Sequence, residues 1–177
     1  MADINDTGAQ RFPHLFSPLR IDSLELANRC AVAPMTRTSA GDNGVVSDQI
    51  ADYYARYARG GFGLIITEGT FINHKAANGY DSVPDIYNPA ALDGWKHVIE
   101  EAHAGGAKII PQLWHVGAQR VKGTEPDREV PGYAPSAVAT GERDVPIAMS
   151  KDDVFDSEED YVVVTETYDS MASGLST

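Results

Sequence analysis

Three short apolar runs, separated by two stretches with helical periodicity, constrain the fold of this 177-residue chain more than any other feature. The runs cover residues 31–36, 64–69 and 109–114. Between them, apolar residues recur every three or four positions, and each stretch ends at a pair of glycines. A glycine pair typically ends a helix, and the chain can then continue into the next strand. The pattern therefore predicts the order strand, helix, strand, helix, strand.

The boundaries of the two helices can be placed from the residues that flank them. Ser47 is a plausible N-cap for the first helix, and Pro89 opens the second, because proline is favoured in the first helical turn. Continuous apolar strands between helices are typical of a parallel sheet covered on both faces. This pattern predicts an α/β fold, built either as a barrel of strand-helix units or as an open doubly wound sheet. No Gly-x-Gly-x-x-Gly turn follows the first run, which argues against a Rossmann domain.

The segments around this central pattern are less regular. Residues 1–13 are polar and predict a flexible lead-in, and residues 18–27 alternate as a short hairpin does. Residues 14–149 form the expected structural unit, although its last part, from residue 115 onward, is a long irregular loop of the kind that is often functional. Residues 150–177 form an acidic tail that starts like a capped helix. Because residues 161–165 favour a strand, the tail is left open between helix, strand and disorder.

Composition narrows the class of protein. The hydrophobic content of 42% is enough for one buried core, and the formal charge of −12 opposes binding to nucleic acid or anionic membranes. We find no stretch of about 18 apolar residues and no basic-apolar start of a secretory signal, so a cytoplasmic protein is expected. The single Cys30 excludes an internal disulfide and is expected to be a buried structural thiol. No His or Cys spacing suggests a metal site.

Polar and small residues stand at the ends of the three apolar runs. In a parallel sheet these carboxyl ends share one edge, so Pro34, Thr36, Gly69, Gln112 and Trp114 should converge there. A glutamine carboxamide offers an acceptor and donors that match the pyrimidine edge of a flavin, and a threonine hydroxyl can donate to a flavin carbonyl. Glycine would let the backbone approach such a ring, and tryptophan would form an apolar wall.

Each of these residues also has an ordinary structural interpretation when it is taken singly. A glutamine or threonine at a strand end is often a satisfied surface group, and a glycine often serves only a turn. Glu68 could act as a general base, although support of neighbouring backbone is more usual at a strand end. His115 is interpreted as a hydrogen-bonded loop histidine.

Several motifs occur in a fixed order between residues 12 and 154. They lie at residues 15–19, 26–37, 64–68, 94–96, 111–117, 131–136 and 149–150. In this order they resemble the Old Yellow Enzyme family of FMN-dependent NAD(P)H oxidoreductases, the ene-reductases. The resemblance implies a partial (β/α)8 TIM barrel, with an N-terminal hairpin closing its bottom and the first three strand-helix units following.

The resemblance also implies roles for the residues at the strand ends. FMN would be contacted by Pro34, Met35, Thr36, Gly69 and Gln112. Thr36 would tune the flavin potential, and Trp114 would line the substrate pocket. The implied reaction is hydride transfer from NAD(P)H to FMN and then to the β-carbon of an activated alkene, such as an enone or enal.

Other parts of the family pattern do not occur in these 177 residues. The His-x-x-His or His-x-x-Asn pair that holds the substrate carbonyl, the tyrosine that donates a proton and the flavin phosphate site have no counterpart, so no catalytic residue is assigned. We therefore expect the N-terminal part of an ene-reductase-like enzyme. The alternatives are a non-catalytic half-barrel assembly module and a truncated or frame-shifted product. A homo-oligomer or a complementing chain would then complete the barrel.

Overall fold

The computed structural model describes residues 8–174 of the chain. Its helices and strands, in chain order, are α1 (Gly8–Arg11), β1 (Leu19–Ile21), β2 (Leu24–Leu26), β3 (Ala31–Val32), α2 (Asp48–Arg59), β4 (Leu64–Phe71), α3 (Pro89–Ala104), β5 (Lys108–Trp114), β6 (Tyr133–Ala134), β7 (Ile147–Ala148) and α4 (Lys151–Gly174). Among residues 8–174, no helix has both the length and the apolar composition needed to cross a bilayer.

The central feature is a three-stranded sheet in the order β3, β4, β5, in which both strand pairs are parallel. Helices α2 and α3 pack against each other and against this sheet. The core between them contains the fully buried Ile50, Tyr54, Ile65 and Trp95. This arrangement confirms the predicted strand-helix order and the α/β fold.

The helix boundaries follow the predicted signals. Helix α3 begins at Pro89, and the side chain of Asn88 caps it by accepting the Ala90 N–H at 3.1 Å. Helix α2 begins after Ser47, but the Ser47 hydroxyl donates to the Ser39 carbonyl instead of capping the helix. Both helices end at the first glycine of a pair, as expected.

The structure corrects the predicted bounds of the first strand. The first apolar run was expected to form a strand over residues 30–34, but only Ala31–Val32 pairs with β4. Pro34 has no N–H for a ladder, and the Arg37 N–H turns to the Glu68 side chain instead. Cys30 lies just before this strand and is half-buried, so the expectation of a fully buried thiol was wrong.

The hairpin is confirmed, since β1 and β2 pair antiparallel from Leu19↔Leu26 to Ile21↔Leu24. The flexible lead-in was assigned to residues 1–13. Residues 1–7 lie outside the described part of the chain, and Gly8–Arg11 form one helical turn.

The acidic tail is helical over Lys151–Gly174. Ser150 and Asp153 open it with reciprocal hydrogen bonds: the Ser150 N–H donates to Asp153 Oδ2 at 2.7 Å, and the Asp153 N–H donates to Ser150 Oγ at 3.1 Å. Val164 and Tyr168 are buried on the helix face that packs against the core. The strand preference of residues 161–165 therefore gave the wrong structure, because packing of Val164 and Tyr168 on the core outweighs local β-propensity.

Candidate functional site

The carboxyl ends of β4 and β5 bring two of the predicted site residues together. In the parallel register Gly69 lies opposite Gln112, and Phe71 lies opposite Trp114. Gly69 is buried, whereas Gln112 and Trp114 are half-buried at the rim. A glycine and a carboxamide thus share one edge of the sheet.

A bulge in β4 sets this register. The pairing shifts between Ile66 and Gly69, so β4 carries one more residue than β5 at this point. The Thr67 hydroxyl takes the place of a backbone carbonyl, since it accepts the Gln112 N–H at 3.2 Å and donates to the Glu68 carbonyl at 2.9 Å. Thr67 therefore holds Gln112 opposite Gly69.

Replacing Thr67 by valine should lower the free energy of unfolding by about 1–3 kcal/mol, because the half-buried Gln112 N–H loses its acceptor. Thr70→Val is the matched control. The Thr70 hydroxyl only donates to the Glu68 carbonyl, which the Thr67 hydroxyl already contacts. Urea denaturation of both variants measures the difference, and equal losses would show that the Thr67–Gln112 bond does not support the bulge.

Glu68 connects β4 to the segment that follows β3. Its Oε2 accepts the Arg37 N–H at 2.9 Å, and the side chain is only 1% exposed. Burial raises the pKa of this carboxyl, and the backbone N–H groups of Arg37 and Thr38 oppose that rise in pKa because they favour the charged form. On the opposite side, the Glu68 N–H donates to the Tyr54 hydroxyl at 2.6 Å. Of the two interpretations of Glu68, support of neighbouring backbone is the one observed.

The segment after β3 carries three of the predicted flavin contacts. Pro34 is half-buried, and Met35 and Thr36 are exposed. Arg37 follows directly and lies over the Tyr53 ring, with its guanidinium carbon 4.8 Å from the ring centroid. The Glu68 contact places this segment next to β4, one residue before Gly69 along the strand.

Trp114 packs directly on Gly69. A Cβ at Gly69 would lie 2.2 Å from the indole Cε3 and Cζ3 atoms, so the structure gives this glycine a steric role toward Trp114. The indole also contacts the Tyr80 ring, with centroids 5.7 Å apart and planes inclined at 34°. Tyr80 was not among the predicted site residues, because an aromatic residue in an irregular loop gives no periodic signal.

A histidine pair lies directly beyond Trp114. His115 Nε2 and His74 Nδ1 are 2.9 Å apart, and the Gly117 N–H donates to His115 Nδ1 at 3.1 Å. The Ala76 N–H donates to His74 Nδ1, so His115 Nε2 must carry the proton shared by the two rings. Burial, together with the charges of His74 and Arg120, lowers the pKa of His115 to about 4. His115 is hydrogen-bonded, as expected, but its partner His74 was not foreseen.

Acidification should weaken the fold through His115. Its pKa is about 4 in the folded chain and 6.5 ordinarily, so below pH 6.5 the unfolded chain binds a proton that the folded chain does not. The stabilisation is complete above pH 6.5 and falls as the pH approaches 4, with a slope of up to about 1.4 kcal/mol per pH unit. Urea denaturation between pH 7 and 4 measures this slope.

His115→Gln should reduce this slope, while His97→Gln, at an exposed position of α3, should leave it unchanged. The comparison with His115→Gln matters because Asp85 acts in the opposite direction. Burial raises the pKa of Asp85 to about 6, so this group gains folded-state stability as the pH falls from 6 to 4. An identical slope in wild type and His115→Gln would contradict the role of the histidine pair.

Several polar groups of the predicted site residues have no hydrogen-bond partner within the described part of the protein. Within residues 8–174, the Thr36 hydroxyl and the Gln112 carboxamide have no hydrogen-bond partner in the protein, and the buried Trp114 Nε1–H has none either. The Gln112 carboxamide, opposite Gly69, therefore keeps its donors and its acceptor unpaired within the described residues. In the same described residues, no group of three or more His, Cys, Asp or Glu side chains could hold a metal ion.

Comparison of the sequence with known proteins finds one matching family profile and several relatives. The profile of the NADH:flavin oxidoreductase / NADH oxidase family matches residues 14–169. Chanoclavine-I aldehyde reductase from Penicillium roqueforti is 48% identical over 103 residues, which cover 58% of this chain and 28% of that protein. 12-oxophytodienoate reductase 7 from Oryza sativa subsp. japonica is 39% identical over 126 residues, which cover 71% of this chain and 31% of that protein.

Solved structures agree with these sequence matches. Morphinone reductase in complex with tetrahydroNAD superposes with a TM-score of 0.80 at 34% identity, over 90% of this chain and 47% of that one. Old Yellow Enzyme from Pichia sp. AKU4542 superposes with a TM-score of 0.83 at 29% identity, over 90% of this chain and 43% of that one. The chain thus spans about half the length of these solved relatives and about a third of the curated ones.

Proposed function

Because the chain belongs to the NADH:flavin oxidoreductase / NADH oxidase family, we propose that it is the flavin-contacting N-terminal part of an ene-reductase. This membership confirms the resemblance to Old Yellow Enzyme. The family uses FMN as its cofactor and a reduced nicotinamide nucleotide as its reductant. The proposed substrates are activated alkenes, namely enones or enals.

The pairing of Gly69 with Gln112, next to the segment held by Glu68, carries this proposal. The Gln112 carboxamide would bind the pyrimidine edge of the flavin, and the Thr36 hydroxyl would donate to a flavin carbonyl. Pro34 and Met35 would contact the ring, and Trp114 would line the substrate pocket. Bound FMN would supply hydride transfer from NAD(P)H to the alkene, and the Thr36 donor would stabilise the negative charge of the reduced ring.

The three parallel strands would be the first three of a (β/α)8 barrel, with the β1–β2 hairpin at its bottom. Such a barrel needs about 250 residues. The carbonyl-binding His pair, the proton-donating tyrosine and the phosphate site implied by the resemblance have no counterpart among the 177 residues. In this proposal those groups come from the remaining strands of a complete barrel.

The alternative, a half-barrel module completed by another chain, is favoured by the open edge of β5. The Lys108 N–H donates to the carbonyl of Gly63, directly before β4, so the next residue, Ile109, directs its backbone groups away from β4. Ile110 is 41% exposed on the sheet face. In the described chain the Ile109 carbonyl is held by the Tyr168 hydroxyl of α4 at 3.0 Å. A further strand added at this edge would displace Tyr168.

Titration of the purified chain with FMN tests the leading proposal. We expect quenching of flavin fluorescence on binding, and binding at least tenfold weaker in Gln112→Leu. Gln49→Leu, at an exposed position of α2, is the matched control and should bind as wild type does. Equal binding by wild type and Gln112→Leu would overturn the proposed flavin edge.

Two further measurements test whether the chain is active on its own and whether it is a half-barrel module. With NADPH and cyclohexenone, we expect the chain alone to show no steady turnover, because no carbonyl-holding His pair occurs in it; sustained reduction would contradict this. Size-exclusion chromatography with light scattering tests the alternative, since a folded oligomer that binds no flavin would favour the half-barrel module.

A further inference from the structure

We propose that Glu68 is a positioning residue, whose carboxylate sets the hydrogen bond between the Thr36 hydroxyl and the flavin. This inference rests on the proposed function and adds a residue that does not itself contact the ring. Glu68 was open to two interpretations from sequence, neither of which connected it to Thr36.

The first argument is the pair of contacts that Glu68 makes. Its side chain accepts the backbone N–H of Arg37, 31 positions away in sequence and directly after Thr36. Its own backbone precedes Gly69, which lies opposite Gln112. One residue therefore fixes the separation between the threonine and glutamine sides of the proposed flavin edge.

The second argument is the backbone conformation that the carboxylate holds. Thr38 has φ +51°, in the left-handed region that a β-branched residue rarely adopts. The N–H of the preceding Arg37 donates to the Glu68 carboxylate at 2.9 Å, and such a charge-assisted bond is stronger than a bond to a neutral acceptor. The surrounding contacts must hold a strained segment of this kind in place. Without the carboxylate, the segment is expected to relax and carry Thr36 with it.

The third argument is how firmly Glu68 itself is held. The side chain is 1% exposed, and its backbone N–H donates to the buried Tyr54 hydroxyl of α2. Its Oε1 is buried and has no hydrogen-bond partner among residues 8–174. A buried carboxylate with one unsatisfied oxygen costs stability, which makes a role in stability alone a poor explanation for this residue.

The midpoint potential of FMN bound to the full chain tests the inference, because loss of the Thr36 donor and loss of the Glu68 charge shift it in opposite directions. Thr36→Val should make the potential more negative, since a donor to the reduced ring is lost. If Glu68 acts through Thr36, Glu68→Leu should also shift it negatively, by at least a third of the Thr36→Val shift. If only the nearby negative charge mattered, the same variant would shift the potential positively.

The double variant Thr36→Val/Glu68→Leu isolates the coupling. Its potential should be no more negative than that of Thr36→Val alone, because Glu68 has no hydroxyl left to position and only the loss of its charge remains. Glu68→Asp keeps the charge but withdraws the oxygens by one methylene, so it should also shift the potential negatively and serves if Glu68→Leu does not fold. Asp85→Asn is the matched control, since Asp85 is a buried carboxylate that holds the backbone N–H groups of Tyr87 and Asn88, and it should leave the potential unchanged.

The outcomes separate this inference from the function on which it rests. If the wild-type chain binds no FMN, the proposed function fails and the inference fails with it. If FMN binds and the Glu68 variants have the wild-type potential or a more positive one, the inference alone is overturned. A negative shift of equal size in the presence and absence of the Thr36 hydroxyl would also overturn it, since Glu68 would then act by another route.

Discussion

Replacing Gly69 by alanine is expected to destabilise the folded chain by about 3 kcal/mol, as overpacking of a well-filled site does. The added Cβ would lie 2.2 Å from two carbons of the Trp114 indole, far inside the usual contact distance of about 3.5–4.0 Å. Gly69 is held in place by its pairing with Gln112, and the atoms that the Cβ would meet are ring carbons of an indole that also contacts the Tyr80 ring. Urea denaturation of the purified variant measures the loss.

Two controls identify the clash as the cause. Gly41→Ala places a Cβ at 3.6 Å from its nearest neighbour, an ordinary contact, and should change the stability by less than about 0.5 kcal/mol. In a Trp114→Ala background, Gly69→Ala should cost little, because the indole is absent. A cost that persists in this background would assign the requirement for glycine to the backbone and not to Trp114.

The Trp114 contact adds a second reason for a glycine at the strand end. The sequence suggested that Gly69 allows close approach of a flavin, and a Cβ at this position would also meet the indole of Trp114. Spacing along the sequence places Gly69 and Trp114 on neighbouring strands but cannot show which way an indole turns. Rotamer choice depends on neighbours such as Tyr80, which come from a loop that has no periodic pattern.

The helices were predictable because their signals are local. The cap at Asn88–Pro89 and the glycine pairs act within one helical turn, so the bounds of α2 and α3 follow from adjacent residues. The strands were less predictable because their ends are set by partners distant in sequence. β3 stops at Val32 and β4 continues through a bulge that depends on the Thr67 hydroxyl.

In the candidate site, too, some features could be predicted from the sequence and others could not. The residue types at the strand ends and their shared edge could be inferred, because the carboxyl ends of parallel strands must meet at one edge. The contacts that fix these residues could not be inferred. Glu68 reaches the backbone of Arg37, and His74 pairs with His115, across 31 and 41 positions of sequence. Neither contact leaves a pattern in the sequence.

The largest stability effect outside the sheet is expected at Arg120. Its side chain is 2% exposed, and no carboxylate pairs with it among the described residues. Its guanidinium instead donates to five backbone carbonyls, those of Asn78, Thr124, Glu125, Asp127 and Val130. Burial lowers the pKa of Arg120, yet the five carbonyls satisfy all five of its N–H donors.

Arg120→Met should lower the free energy of unfolding by about 3–5 kcal/mol, because it leaves several buried carbonyls without a donor. Arg120→Lys should recover only part of this loss, since an ammonium group has three donors and not five. Arg128→Met is the matched control: its ion pair with Glu125 is exposed, so the expected change is below about 1 kcal/mol. Urea denaturation compares the three variants.

The effect of Arg120 should also reach the candidate site. Arg120 ties the 120–130 loop to the Asn78 carbonyl, and the Asn78 side chain in turn bonds both the N–H and the carbonyl of Tyr80, whose ring faces Trp114. Hydrogen exchange of Arg120→Met under native conditions should therefore show lost protection at the Tyr80 amide as well as within the loop. If protection is lost in the loop alone, the loop and the aromatic wall of the site are independent, and Arg120 stabilises only the former.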